Sequence, residues 1–282
     1  LKTDFGTGSW KEGRENGEAT YYFSTGELSY KINFTDGLRD GDFTDYYRNG
    51  KKRETLTFVE GNKEGAVKML HPNGQTYLEG QYEADKAVGH WKYFYNNGQL
   101  KEEGEFLNGK QVGIWKESNR FGVLLNETDF GEKGTKTGIY KSYDLDGNLI
   151  LELFYKGEEI DKYSTYDTEG NVLSSDEKKK RELDFIGFHD NGVKRVEGKY
   201  YKGAETGLWK FYNLHGTLVK ELNYDEEGLL DGKSNWYFAN GEIETIKTFS
   251  EGYLDGYFVE YYRNGKMFEH GWYKEDDKVG AW

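Results

Sequence analysis

The stretch GHWKYFYNNGQLKEEGEFLNGKQV, residues 89–112, decides the fold because close copies of it fill most of the chain. With Gly89 taken as place zero, matching repeats follow one another at intervals of 22 to 25 residues. The repeats begin at Gly17, Gly41, Gly65, Gly89, Gly113, Gly138, Asp161, Leu183, Gly207, Gly232 and Gly256. A period of this length is typical of proteins in which each structural repeat packs only on its neighbours.

Each repeat is predicted to be one β-hairpin. A glycine stands nine places into every repeat, and asparagine often precedes it, as in Asn97-Gly98. An Asn-Gly pair between two strand-like segments indicates a tight turn, because both residues accept the positive φ of a type I′ turn. The turn at Gly98 would therefore join the two strands of the repeat.

Aromatic side chains gather at three places of the repeat. In residues 89–112 they are Trp91 at the second place, Phe94 at the fifth and Phe106 at the seventeenth. A two-stranded hairpin cannot bury such rings alone, so stacked repeats are expected to share them. The second and fifth places have opposite parity along the strand, which either a β-bulge or rings on both faces of the sheet would explain.

The predicted fold class is all-β, an elongated solenoid or ribbon of consecutive antiparallel hairpins with about 24 residues per repeat. At a strand spacing of about 4.8 Å, such a ribbon would be about 100 Å long. The predicted single array comprises a half-repeat 1–16, repeats 17–160, a degenerate repeat 161–182, repeats 183–279 and a truncated repeat 280–282. The degenerate repeat has Lys178 where a ring belongs, so we expect a loop from about Ser174 to Arg181, with a kink in the ribbon there.

The charge of the chain bears on its partners. A formal net charge of −13 disfavours binding to nucleic acid or to an anionic lipid surface and favours a partner with a basic surface. The chain has no cysteine, which rules out disulfides and thiolate zinc sites. Both ends resemble cuts through a longer array. Because the first residue is Leu1 and not methionine, a removed leader is expected, which favours the periplasm or cell surface over the cytoplasm.

No pattern of catalytic, cofactor-binding or metal-binding residues is apparent. His71 and His189 occupy the same place of repeats that lie far apart, so they cannot share a metal. The segment DLDGN, residues 144–148, resembles part of a calcium loop, but its position at the hairpin turn favours a backbone role for Asp144. We therefore predict that the protein is not an enzyme.

The most variable columns of the repeat are the fourth and sixth places. Their side chains are predicted to leave the face used by the fifth-place rings and to be available for recognition. The candidate partner-binding residues are Tyr21, Phe23, Tyr47, Met69, His71, Tyr93, Tyr95, Phe211, Trp236, Phe238 and Tyr262. Exposed rings beside acidic groups suit a protein interface, and spaced rings could also stack sugars, so a glycan remains an alternative ligand. The other interpretation is that these rings pack against their neighbours within the sheet.

The repeats resemble a known family. Segments such as GHWKYFYNNGQLKEEGEFLNGKQVG and GYFVEYYRNGKMFEHGWYKEDDKVG are similar to the bacterial variant of the MORN repeat found in YwqK-like antitoxin proteins, over about Trp10 to Trp282. The resemblance implies a meander of hairpins that serves as a non-enzymatic binding scaffold, a monomer within a larger complex. The resemblance and the acidic charge together favour an antitoxin or immunity protein that neutralises a basic toxin. The alternative is a cell-envelope accessory or scaffold protein that docks on surface proteins or glycans.

Overall fold

The computed structural model describes residues 5–282, and the first four residues of the predicted half-repeat 1–16 lie outside the described residues. All regular secondary structure in residues 5–282 is β-strand, as the repeat pattern predicts. No helix in this range is long and apolar enough to cross a membrane. The chain divides into two compact units, Leu1–Lys136 and Thr137–Trp282, which we call the N-terminal and C-terminal units.

The N-terminal unit is a meander of antiparallel strands. Apart from the small β2–β3 hairpin, its strands pair in chain order. The strands are β1 (Phe5–Thr7), β2 (Trp10–Lys11), β3 (Arg14–Glu15), β4 (Gly17–Tyr22), β5 (Leu28–Thr35), β6 (Leu38–Tyr46), β7 (Lys52–Val59), β8 (Asn62–Leu70), β9 (Thr76–Glu83), β10 (Lys86–Phe94), β11 (Leu100–Leu107), β12 (Lys110–Ser118) and β13 (Leu124–Phe130).

The C-terminal unit contains two runs of paired strands, β14–β17 and β18–β26, each in chain order. The strands are β14 (Lys136–Tyr143), β15 (Leu149–Lys156), β16 (Glu159–Tyr166), β17 (Val172–Glu177), β18 (Glu182–Phe188), β19 (Lys194–Tyr201), β20 (Ala204–Tyr212), β21 (Leu218–Tyr224), β22 (Gly232–Tyr237), β23 (Ile243–Ser250), β24 (Tyr253–Tyr261), β25 (Met267–Lys274) and β26 (Asp277–Val279).

The predicted hairpin turns are present, but the predicted turn type is wrong. In the turn at Asn97-Gly98 only Gly98 has a positive φ, at 85°. The amide of Tyr95 donates to the carbonyl of Gln99, and that of Gly98 donates to the carbonyl of Tyr95, each at 2.9 Å. This is a type I turn closed by a left-handed glycine. Type I′ geometry occurs instead at the opposite end of the strands, as at Asn108-Gly109, with φ of 52° and 81°.

A β-bulge recurs in each repeat, and it explains the parity of the ring columns. In β10 and β11, Tyr93 pairs with Glu102 while Phe94 pairs with Leu100, so Lys101 is the additional residue. Because this bulge lies in the second strand, alternation from the second to the fifth place of the first strand is unbroken. The second- and fifth-place rings therefore lie on opposite faces. We call the face of the second-place rings the core face and the other the back face.

The core face carries the hydrophobic core of each unit, made chiefly from the second-, fifteenth- and seventeenth-place columns. Trp91 is 3% and Trp115 4% exposed. The ring of Phe106, at the seventeenth place, lies between them, with centroid distances of 5.4 Å to Trp91 and 5.0 Å to Trp115. In the C-terminal unit Tyr200 contacts Trp209 in the same way at 5.0 Å. The predicted sharing of rings between repeats is confirmed.

The degenerate repeat is more regular than expected. Residues 172–177 form β17, so the predicted loop from Ser174 is wrong over its first part. A short turn follows, in which the amides of Lys179 and Glu182 each donate to the other's carbonyl. The pairing of strands nevertheless stops after β17, and β18 starts a separate sheet. The buried hydroxyl of Tyr163 in β16 accepts a hydrogen bond from the amide of Ile186 in β18 at 3.0 Å, where a strand partner would otherwise accept it.

Candidate protein-binding surface

The fourth-place candidates lie on the core face. Tyr21, Met69 and Tyr93 pack against the core of the N-terminal unit, and Phe211 packs against that of the C-terminal unit. Trp236, also at the fourth place, lies beneath the Nζ of Lys247 at 4.9 Å. These side chains do leave the face of the fifth-place rings, but the core already occupies the face that they enter. Tyr21, Met69, Tyr93 and Phe211 therefore take part in packing within the fold, and the prediction that they are not needed for it is wrong.

Three sixth-place candidates bind the backbone of the next repeat. The hydroxyl of Tyr47 donates to the carbonyl of Leu70 at 2.7 Å, and that of Tyr95 donates to Ser118 at 3.1 Å. The Nε2 of His71 donates to the carbonyl of Phe94 at 2.9 Å. Each bond spans 23 residues, about one repeat. The Tyr and His side chains at this place therefore connect successive hairpin turns.

The remaining sixth-place candidates contact neighbouring side chains. The guanidinium of Arg48 lies 5.4 Å from the ring centroid of Phe23, and that of Arg263 lies 5.9 Å from the ring of Phe238. Tyr262 is 52% exposed, and its ring contacts Phe268 edge to face at 5.0 Å. Recognition through the eleven candidates stays a prediction, since most of them also have a role within the fold.

Cross-strand charge pairs run along the back face, and sequence reasoning missed them. The third place is Lys and the fourteenth is Glu in several repeats, and the side chains meet in the pairs Lys68–Glu79 at 2.7 Å and Lys116–Glu127 at 3.6 Å. Fifth-place tyrosines join them: the hydroxyl of Tyr212 donates to Glu197 at 2.5 Å. The recurrence of Lys and Glu in these two columns of the repeat is the sequence signal that indicates the pairs.

Burial and neighbouring carboxylates shift the pKa values of several side chains. Burial and the Glu197 carboxylate together raise the pKa of Tyr212 to about 12. Burial, with Glu102 nearby, raises the pKa of Tyr93 to about 12. Burial and the neighbouring carboxylate of Glu117 raise the pKa of Glu102. Each tyrosine is held neutral by its surroundings, which favours hydrogen-bond donation over proton transfer.

In the repeat that begins at Gly256, apolar side chains take the place of charged ones on part of the back face. Val259 stands at the third place and is fully buried, and its cross-strand neighbours are Ile246 and His270. Beside them Trp272 is 57% exposed and contacts Tyr257 at a ring-centroid distance of 5.7 Å. Val259, Ile246 and His270 therefore stand where other repeats have Lys–Glu pairs, and a half-buried Tyr257 and an exposed Trp272 lie beside them.

The turn role predicted for Asp144 is confirmed. Its Oδ1 accepts from the amides of Asp146 and Asn148 at 2.9 and 2.8 Å, and its Oδ2 accepts from the Asn148 side chain at 2.9 Å. Although burial opposes ionisation, these hydrogen bonds hold the pKa of Asp144 below its usual value. Within residues 5–282 no three His, Asp or Glu side chains are placed to hold a metal ion.

The repeats of this chain match a known family in part of their length. Five segments of the chain match the MORN repeat variant. They are residues 15–36, 39–60, 87–108, 136–156 and 205–226. The MORN-variant segment 87–108 contains most of β10 and all of β11, so one match corresponds to one hairpin. No curated protein matches the chain.

Two solved structures show distant similarity to this chain. One is a protein of unknown function from Bacteroides caccae, with 14% identity and a TM-score of 0.25 over 95% of this chain and 92% of that one. Another is the Tc holotoxin pore of Photorhabdus luminescens, with 11% identity and a TM-score of 0.15 over 93% of this chain and 18% of that one.

Proposed function

We propose that the protein is a non-enzymatic repeat scaffold that binds another protein. This proposal rests on one observation: different side chains of the repeat have different roles. The repeated rings and turn residues hold the hairpins together, while charged side chains between them, such as Lys68 and Glu79, stay accessible. A sheet built in this way offers a broad surface whose side chains can vary without loss of the fold.

The partner that we propose has a basic surface. The net charge of −13 attracts a cationic protein and repels nucleic acid and anionic membranes. An antitoxin or immunity protein that covers a basic toxin, such as a nuclease, fits this charge. Association with such a partner would be fast and would weaken as salt screens the charges.

Affinity purification of the tagged full-length protein from its native host tests this proposal. We expect one basic protein in a one-to-one complex whose dissociation constant rises at least tenfold between about 50 and 500 mM salt. The antitoxin function further requires that the captured protein be toxic when expressed alone and harmless when expressed with this chain. A partner with an acidic surface, or binding unaffected by salt, would contradict the proposal.

A glycan is the second candidate ligand, and the Trp272–Tyr257 pair favours it. Exposed aromatic rings stack on the apolar faces of sugars, and Trp272 of this pair is 57% exposed. Glycan binding is the function expected of a cell-envelope scaffold protein. Titration with cell-wall and capsular oligosaccharides, followed by tryptophan fluorescence, should show saturable quenching that Trp272→Ala abolishes and Trp10→Ala leaves intact.

A further inference from the structure

The fourth-place column of the core face has a gap in the C-terminal unit. In other repeats this place holds a large or charged side chain, such as Tyr93, Glu117 or Phe211. In three consecutive repeats it holds Ser142, Thr165 and Gly187. A side chain on Gly187 would place its Cβ 2.9 Å from Val196, so packing requires the glycine.

The gap is a cleft of about 340 Å³. The apolar side chains of Leu151, Phe185 and Leu214 line it, together with the three small residues. Leu214 is 58% exposed, whereas Phe185 is 8% exposed and part of the core. The cleft therefore has an apolar lining that reaches from the core to the surface, and its volume suits one large side chain or a small ligand.

Charged side chains of both signs line the cleft. Asp190 and Arg195 both line it and both are exposed. At the tips of the two preceding hairpins, Asp146 and Glu169 are also exposed. His189 lines the cleft as well, but its Nε2 already donates to the carbonyl of Tyr212 at 2.8 Å. Asp190 and Arg195 balance each other at the cleft, so it is the net charge of −13 on the whole chain that favours a cationic occupant.

We propose that this cleft receives one aromatic or aliphatic side chain from a basic segment of a protein partner. The apolar lining takes the side chain, and the Asp190 carboxylate, with the net negative charge of the chain, attracts the lysines and arginines on either side of it. The inference rests on the proposed function and adds to it the place on the scaffold where the partner inserts. A buried side chain at the centre, with charges around it, is the usual arrangement of an interface hot spot.

The test uses fluorescence anisotropy of the full chain with the labelled peptide KRKGFGKRK. We expect saturable binding, which is lost for EDEGFGEDE and weakened about tenfold for KRKGSGKRK, which lacks the ring. Ser142→Tyr fills the cleft with a residue that the fold already accepts at Tyr21 and Tyr93, and it should weaken binding about tenfold. The matched control Ser24→Tyr, at an exposed turn of the N-terminal unit, should not change the affinity.

Two charge variants give effects of opposite sign, which loss of folding could not imitate. Asp190→Asn should weaken binding about threefold, and Arg195→Gln should strengthen it about threefold. Glu132→Gln, which removes a carboxylate far along the sequence, is the control for Asp190→Asn and should have little effect. Equal binding of the Phe and Ser peptides, or normal binding by a folded Ser142→Tyr protein, would overturn the proposal.

Binding measurements with the natural partner distinguish a failure of this inference from a failure of the proposed function. If a basic partner is captured and Ser142→Tyr weakens its binding, both stand. If the partner binds with unchanged affinity to Ser142→Tyr, the scaffold function stands and the cleft is not its docking site. If the peptide binds the cleft as expected but the natural partner is acidic, the proposed function fails.

Discussion

At Gly104 the absence of a side chain leaves room for the indole of Trp115 from the following repeat. A Cβ built at this position would lie 2.3 Å from the ring, and the same closeness recurs between Gly80 and Trp91. In another repeat the second-place residue is smaller and the fifteenth-place residue is larger, namely Val67 and Leu56. In these repeats the two columns compensate each other's volume.

Gly104→Ala should lower the free energy of unfolding by about 3 kcal/mol, since the rigid indole cannot move aside within a packed core. Urea denaturation of the purified variant measures the loss. The larger Gly104→Leu should be worse alone and should recover stability when combined with Trp115→Val, which recreates the Leu56–Val67 pair. If Gly104→Ala is as stable as the native protein, volume does not select this glycine.

On the back face, the hydroxyl of Tyr212 donates a hydrogen bond to the carboxylate of Glu197. Tyr212→Phe should destabilise the protein by about 1–2 kcal/mol, because the bond is made to a charged acceptor. Tyr261→Phe is a matched control, since Ile246 stands where the acceptor would be and no carboxylate is lost. Equal destabilisation by the two variants would contradict this assignment.

The same bond predicts a response to alkaline pH. With the folded pKa of Tyr212 raised to about 12 against about 10 in the unfolded chain, its contribution is complete below pH 10. The contribution is then lost as the pH rises through 12. Ultraviolet titration should show tyrosines that ionise only near pH 12, and Tyr212→Phe should remove one of them.

At the level of the hairpin, the eighth-place asparagine has a role other than the one predicted from its turn preference. Asn97 accepts from the amide of Gln99 within its own turn at 3.1 Å, and its Nδ2 donates to the carbonyl of Arg120 in the next turn at 2.8 Å. Asn73 and Asn191 make equivalent bonds to the following turn. The turns are therefore tied to one another as well as closed.

Asn97→Ala should cost about 1 kcal/mol more than Asn264→Ala. Both asparagines accept an amide two residues ahead, but only Asn97 has a described bond to the next turn. Thermal unfolding of the two variants measures the difference, which isolates the bond between repeats from the bond within the turn. A difference near zero would mean that the connection contributes nothing to stability.

On the scale of the whole molecule, the discontinuity after β17 separates two sheets within the C-terminal unit. Tyr163 is 1% exposed there, and its hydroxyl contacts both the Ile186 amide and the Ser174 side chain, the latter at 2.9 Å. A single side chain thus satisfies a backbone donor that the missing strand pairing leaves open.

Tyr163→Phe should destabilise the C-terminal unit by about 1–3 kcal/mol, because the amide of Ile186 loses its acceptor inside the protein. Hydrogen exchange should accelerate at Ile186 and less so in β21 and later strands. Tyr201→Phe, in the adjacent strand β19, is the control and should leave this exchange unchanged. Unaltered exchange at Ile186 would show that the hydroxyl does not hold the two sheets together.

Spacing along the chain was enough to predict the hairpins, the shared rings at the second and seventeenth places and the interruption of the pattern near Lys178. These features are local or recur at a fixed interval, so the residue types alone reveal them. The turn type, the bulge at Lys101, the contacts of the fourth-place rings and the cleft beside Ser142 depended on the tertiary structure. Each of these features depends on contacts between neighbouring repeats. The strand register and the free volume between two repeats are set by packing between residues about 23 positions apart, which the residue types alone do not specify.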